Sequence, residues 1–261
     1  MLLWVADAWA RNIVIFGDAQ HDNAVQKSIV KLALTFKPST VFRVGDIVDD
    51  GNNQELWDAF RRINKPLLET TRYFPVLGNH DKESPLYFAQ FPQINNSSWY
   101  SINREGIHFI ILDSNLDLKP GSPQYESLVN DLRDSKDKFK FKIVLFHHPM
   151  FNVAHHKEDE KGLRPILLPL LKEYGVSAVF SGHEHSYQHL QYEGIDFIVT
   201  GGAGSRLLSQ TRDSPYLKKF IKAYHLCLLI PGNDFLTLRV IDNKSSTIDE
   251  FKIFPPGTLR E

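Results

Sequence analysis

The chain completes one progression twice in its first 63 residues, and begins it a third time: a short apolar run, a polar turn, then helical spacing. Asn12–Phe16 is rich in Ile and Val and stops at Gly17-Asp18-Ala19-Gln20-His21-Asp22. Val25, Ile29, Leu32 and Leu34 then mark a helix over Asn23–Phe36, stopped by Lys37-Pro38. Val41–Gly51 starts as an apolar strand and ends in acidic turn residues; Asn53–Ile63 follows with Leu56, Trp57, Phe60 and Ile63 on one side. Pro75-Val76-Leu77 leads into Gly78-Asn79-His80-Asp81. Strand, turn and helix in this order predict right-handed crossovers in a mostly parallel sheet. Such sheets present polar residues, and bind ligands, beyond the carboxyl ends of their strands.

The rest of the chain adds to this frame. Trp99–Asn103 and Ile107–Asp113 read as a hairpin turning at Arg104-Glu105-Gly106. Gln124–Leu132 and Leu163–Tyr174 read as helices, the second closed by Gly175. Phe141–Phe146 is an apolar strand ending at His147-His148-Pro149, and Val176–Phe180 is another ending at Ser181-Gly182-His183-Glu184-His185. Ile195–Thr200, Tyr224–Ile230, Phe235–Ile241 and Thr247–Phe254 are expected as antiparallel strands of a second sheet packed on the first. With no repeat and no linker, residues 1–261 are read as a single α/β domain, and 42% hydrophobic residues suffice for its core. A net charge of −1 argues against a nucleic-acid partner. No apolar run approaches a membrane span of roughly 20 residues, and a single cysteine, Cys227, excludes an internal disulfide framework. Met1–Ala10 lacks a basic start and is interrupted by Asp7, so a strand or helix over the core edge is expected rather than a signal peptide. A cytoplasmic location is favoured over the secreted or periplasmic one that a removed leader would imply.

Five apolar strands therefore stop at turns holding Asp18, Asp46, Asn79-His80, His147, and His183 with His185. Asp and Asn suit turns, and a lone histidine is commonly a packing residue. Carboxylate, carboxamide and imidazole converging on one sheet edge instead describe a site for hard-to-borderline cations. Without thiolates it does not resemble a structural zinc knuckle. In an extended Gly182-His183-Glu184-His185, both imidazoles would point into one cleft.

Asp18-Ala19-Gln20, Gly45-Asp46-Ile47-Val48-Asp49, Gly78-Asn79-His80-Asp81, His147-His148-Pro149 and Gly182-His183-Glu184-His185 resemble the signature blocks of the calcineurin-like metallophosphoesterases, over roughly residues 12 to 205. Within that superfamily, Gly182 through Tyr187, Val199 through Gly204, and the run from His147 through Asn152 to His155-His156 resemble the purple acid phosphatase branch. The resemblance implies a four-layer α/β/β/α sandwich of two mixed sheets flanked by helices. It implies two metal ions (Fe, Mn or Zn), one held by Asp18, Asp46 and His185, the other by Asp46, Asn79, His147 and His183. Asp46 would bridge them, and a bridging hydroxide would attack phosphorus. His80, oriented by Asp49, would face the phosphate. His155 and His156 would stand on the loop over the cleft, and one of these three histidines would protonate the leaving group. The implied activity is hydrolysis of a small-molecule phosphate monoester. A diester or a nucleotide diphosphate of the ADP-ribose kind is the alternative, and a non-catalytic scaffold of the same fold a remote one.

Two positions depart from the family pattern. Gln20 stands where histidine is common, with His21 beside it; a Gln20 contact through its carbonyl oxygen is expected over ligation by His21. Asp49 stands where purple acid phosphatases carry the iron-bound tyrosine. Asp81 and Asp113 are read as turn residues, His108, His189 and His225 as packing or surface, and Tyr187 as a candidate for the cleft wall. Without a tyrosinate at position 49, protein loaded with iron is expected to be colourless. A visible absorption band near the purple region of the spectrum overturns that expectation.

Overall fold

In a computed structural model, which describes residues 11–20 and 23–258, the first apolar run forms β1 (Ile13–Phe16), buried along its whole length. Its side chains alternate between two cores. Ile13 and Ile15 face a second sheet, while Val14 and Phe16 face helices. β2 (Thr40–Arg43) and β3 (Arg72–Pro75) follow in parallel register. They are linked by α1 (Asn23–Thr35) and α2 (Gln54–Thr70), as the crossovers require. The element expected over Met1–Ala10 and the side chain of His21 lie outside the described residues.

α2 runs past the expected end at Ile63 and through Pro66, because Asn64 and Leu67 continue its buried face. That burial offsets a proline penalty of about 3 kcal/mol. α3 (Pro85–Gln90) was not foreseen, although Ser84 caps it by accepting from Tyr87 N and Pro85 takes a first-turn position.

The hairpin forms as expected from β4 (Tyr100–Arg104) and β5 (Ile107–Ile111), with Glu105 and Gly106 both at positive φ. α4 (Pro123–Ser135) then leads to β6 (Phe141–Leu145), and α5 (Arg164–Glu173) leads to β7 (Ala178–Ser181). β5, β6 and β7 run parallel. β8 (Tyr187–Tyr192), unforeseen because its sequence is half polar, pairs antiparallel with β9 (Ile195–Thr200). Its polar residues are satisfied inside: Gln188 Oε1 accepts from Val153 N at 2.8 Å, and His189 Nε2 lies 3.0 Å from Asp196 Oδ1. β10 (Leu217–Ile221), also unforeseen, adds outside β8.

The expected grouping of the last strands needs correction. β11 (His225–Ile230), β12 (Leu236–Asp242) and β13 (Thr247–Ile253) are antiparallel, yet they extend the first sheet, in the order β13-β12-β11-β1-β2-β3. β9 joins the second sheet parallel to β7, in the order β10-β8-β9-β7-β6-β5-β4. The physical reason is the vacant side of β1. A strand that is apolar on both faces exposes unpaired backbone groups there, and β11, almost wholly buried, pairs with them. The result is α/β/β/α: α1–α3 cover the first sheet, α4 and α5 the second, and an apolar core fills the space between the sheets. Among the described residues, no helix is long and apolar enough to cross a membrane.

Trp57 anchors the first helix layer. It is fully buried, meets Phe60, Tyr87 and Phe91 edge-on, and donates its indole N–H to Gly51 O at 2.8 Å. Trp57→Ala should lower unfolding free energy by about 3–5 kcal/mol, read from urea denaturation.

Candidate metal centre

The turns after β1, β2 and β7 bend through left-handed backbone at Asp18 (φ 58), Asp46 (φ 48) and His183 (φ 69). Such conformations cost about 1 kcal/mol or more for a residue with a side chain, and they concentrate at functional sites. They bring the two carboxylates together with His147 at the strand ends. Two glycines make room. A Cβ on Gly78 would lie 2.2 Å from Asp46 Oδ1, and one on Gly45, itself at φ +91, would lie 2.3 Å from His147 Nδ1. Asp81 ties the turns together as a turn residue. Its carboxylate accepts from Ile47 N at 2.7 Å, Val48 N at 3.1 Å and Gly78 N at 3.0 Å. Burial, with the charge of Asp46 nearby, pushes its pKa up to about 6.

Among these turns the donors converge. Asp18, Asp46 and His147 offer ligand atoms within 4.8 Å of one another, and so do His147, His148 and His183. His147 Nε2 lies 3.3 Å from Asp46 Oδ2 and 3.0 Å from Asn79 Oδ1. His185 Nε2 lies 3.7 Å from Asp18 Oδ1. The Nδ1 atoms of His147 and His185 meet backbone carbonyls, Val44 O at 2.9 Å and Arg206 O at 3.0 Å. Donating there fixes each ring so that Nε2 faces the carboxylates, the orientation expected of metal-binding imidazoles.

The electrostatics demand positive charge. Asp18 and Asp46 are buried, and among the described residues no lysine or arginine pairs with them. Burial drives the Asp18 carboxyl well above its usual range, with the charge of Asp46 adding to it. Burial pulls His147 down, but the carboxylates of Asp46 and Asp18 outweigh it and hold the imidazole at about 10. His183 Nε2 is buried with no hydrogen-bond partner. An orphaned imidazole nitrogen, paired carboxylates and a carboxamide oxygen together fit cations bound by nitrogen and oxygen.

At the rim, His80 Nδ1 lies 2.9 Å from Asp49 O and 3.3 Å from Asp49 Oδ1. The His156 ring stands 4.1 Å from that of His183, and His155 lies next to it on the exposed side. Gln20 reaches the centre with its amide nitrogen, 3.2 Å from Asp46 Oδ2, while its Oε1 accepts from Ser205 Oγ at 2.6 Å.

Two expectations differ from the structure. Residues 182–186 are not extended: Glu184 N donates to Gly182 O and Ser186 N to Glu184 O, two consecutive tight turns. The two histidines consequently part, His183 toward His147 and His148, His185 toward Asp18. Tyr187 does not line the cleft. It is buried between the sheets and donates to Asp249 Oδ2 at 2.6 Å.

Sequence reasoning passed over Glu184, His148 and Glu160. Glu184, fully buried, accepts from His155 N at 3.1 Å and His156 N at 2.6 Å, and it raises the pKa of His156 through the hydrogen bond to its ring. A glutamate enclosed by two site histidines was the available signal. His148 lies 2.8 Å from Ser114 Oγ through Nδ1. Glu160 Oε1 lies 3.2 Å from His183 Nε2; it belongs to the acidic run after His155-His156, but nothing in that run singles out this residue.

Polar strand ends gathered at one edge of a two-sheet sandwich define a phosphoesterase architecture. The chain belongs to the calcineurin-like phosphoesterase family, whose pattern matches residues 11–187. It is 34% identical over 161 residues to purple acid phosphatase 18 of Arabidopsis thaliana, covering 55% of this chain and 37% of that one. It is 29% identical over 190 residues to a phosphoenolpyruvate phosphatase of Allium cepa, covering 64% and 39%. The fold matches purple acid phosphatase PPD1 from yellow lupin (Lupinus luteus) seeds with a TM-score of 0.83 at 19% identity, over 95% of this chain and 54% of that one. The chain thus spans well under half the length of these curated relatives.

Asp81→Asn keeps one oxygen for Ile47 N and Val48 N but sets an NH2 group against Gly78 N, where the second carboxylate oxygen accepts. We expect a loss of about 1–3 kcal/mol in unfolding free energy, measured in urea without metal.

Proposed function

We propose that the chain is a phosphoesterase working with two metal ions, iron, manganese or zinc, and that small phosphate monoesters are its substrates. The observation that carries the reading is the buried Asp46 carboxylate, set between Asp18 on one side and His147 with Asn79 on the other. Asp18, Asp46 and His185 would hold one ion; Asp46, Asn79, His147 and His183 the other. Gln20 would join the first set through Oε1 only by releasing Ser205. A bound cation pair supplies Lewis acidity, lowering the pKa of water and neutralising phosphoryl oxygens.

The chain's own groups do the rest. Gly78 and Asp81 hold the Asp46 and Asn79 turns in register. With Nδ1 of His80 donating to the Asp49 carbonyl, Nε2 is the atom that exchanges a proton with the leaving oxygen. His156, fixed by Glu184, offers a second N–H to the phosphoryl oxygens, and His155 lines the outer wall. The names of the relatives support monoester substrates, phosphoenolpyruvate among them.

Metal-stripped protein refilled with each ion should hydrolyse an aryl monoester or phosphoenolpyruvate faster than an aryl diester, nucleotides or ADP-ribose. A preference for ADP-ribose would replace the monoesterase reading with the nucleotide-diphosphate one, and a preference for the diester with a diesterase. Asp46→Asn should reduce turnover to background and weaken metal retention. His80→Ala should cut the rate by roughly 10²–10⁴-fold with metal content unchanged; loss of metal in His80→Ala would overturn its assignment as proton donor.

A further inference from the structure

We infer that the Glu160 carboxylate is a ligand of the ion held at His183, supplied to the metal centre by the loop that crosses the cleft. The inference rests on the two-metal reading above and adds a residue to it.

His183 is 8% exposed, and its Nε2 has no hydrogen-bond partner. Glu160 Oε1 nevertheless lies 3.2 Å from that nitrogen. A proton on Nε2 would make this an ordinary histidine–carboxylate ion pair, but the angle is not that of a hydrogen bond, which leaves room for a metal ion across both atoms. The spacing suits one. Ligands about 2.1 Å from an ion at neighbouring corners of an octahedron stand about 3 Å apart. His147 Nε2 keeps the same spacing to its neighbours, 3.0 Å to Asn79 Oδ1 and 3.3 Å to Asp46 Oδ2. A carboxylate added to imidazoles and a carboxamide also shifts the site toward harder ions such as manganese or iron.

The loop is built to deliver this side chain. Its neighbours in the acidic run are committed elsewhere. Glu158 Oε1 accepts from Arg164 at 2.5 Å, and Asp159, left-handed at φ 49, accepts from Leu163 N at 2.8 Å and Arg164 N at 3.1 Å. The Arg164 guanidinium also bonds Met150 O and lies 3.9 Å over the Phe151 ring, anchoring the far end. The near end is pinned where Glu184 takes the backbone N–H groups of His155 and His156. Between these anchors Glu160 turns inward, its side chain 27% exposed, with His148 Nε2 3.7 Å from the same oxygen.

Manganese titrated calorimetrically into the metal-free full chain tests this without any turnover. Wild-type protein should take up two ions. Glu160→Gln should keep one site and lose roughly tenfold or more in affinity at the other, while Lys161→Gln, on the same loop, should match wild type. Metal-free melting of both variants should equal that of wild type, which separates ligand loss from misfolding. The inference is overturned if Glu160→Gln binds both ions with wild-type affinities, or if Lys161→Gln loses as much. Wild-type protein that takes up fewer than two ions would overturn the two-metal reading itself, and this inference with it.

Discussion

Two carboxylates, Asp18 and Asp46, are buried beside each other where the sheets meet, and among the described residues only histidines approach them with positive charge. Isolated carboxylates in such a place are costly, by several kcal/mol each even after relaxation. A structure that keeps them must hold them firmly and supply compensation. The firmness comes from backbone. His80 N donates to Asp46 Oδ1 at 2.9 Å, and His183 N donates to both oxygens of Asp18 at 2.9 and 3.1 Å. The left-handed turns that aim the side chains are strained, and the neighbouring sheet over-determines them.

Those bonds also join the two sheets. His147, at the end of β6, bonds Val44 O beyond β2; His183, after β7, bonds Asp18 after β1. Gly17 N donates to Thr200 O at 3.0 Å, and Ala203 N to Gly17 O at 3.0 Å, so the ends of β1 and β9 are stitched at the same point. Elsewhere the sheets meet mainly through apolar side chains, which are tolerant of sliding, with a few directional bonds such as Tyr187 Oη to Asp249 and Tyr100 Oη to Pro75 O. Directional bonds at the strand ends set their relative position. The site and the register of the sandwich are therefore one feature, and disturbing Asp81 or Gly78 acts on both.

What the sequence disclosed follows from this division. Strands and crossover helices around Asp18 and Asp46 were legible because hydrophobic period and turn residues agree locally. The sheet to which β11–β13 belong was not, because antiparallel apolar strands carry no label for the edge they join; the open side of β1 decided it. β8 was hidden by polar residues whose partners, Val153 N and Asp196, are distant in sequence or reached only after the next turn. In the site, the residue types were legible and their directions were not. The spacing of His183 and His185 suggested one shared face, but two tight turns separated them. Gln20 was read as an oxygen donor, and the Ser205 hydroxyl that occupies its oxygen lies 185 residues away.

The histidines show why composition at strand ends cannot by itself separate ligands from packing residues, and which property does. His108 has both ring nitrogens engaged, by Asn103 Oδ1 at 2.7 Å and Asp131 Oδ2 at 2.9 Å; His225 has both engaged, by Ala223 O and Thr200 Oγ1. Each is fully engaged, His108 reaching helix α4 and His225 the end of β9, and has no capacity left for an ion. His147 and His185 share a different arrangement: one nitrogen meets a backbone carbonyl, and the other points at carboxylate oxygen. His183 has an Nε2 with no hydrogen bond at all. An imidazole that orients itself on the main chain and leaves its second nitrogen facing acceptors is stable only if something electropositive comes between them. In this chain that criterion, more than the identity of any residue, separates the histidines of the cage from those of the core.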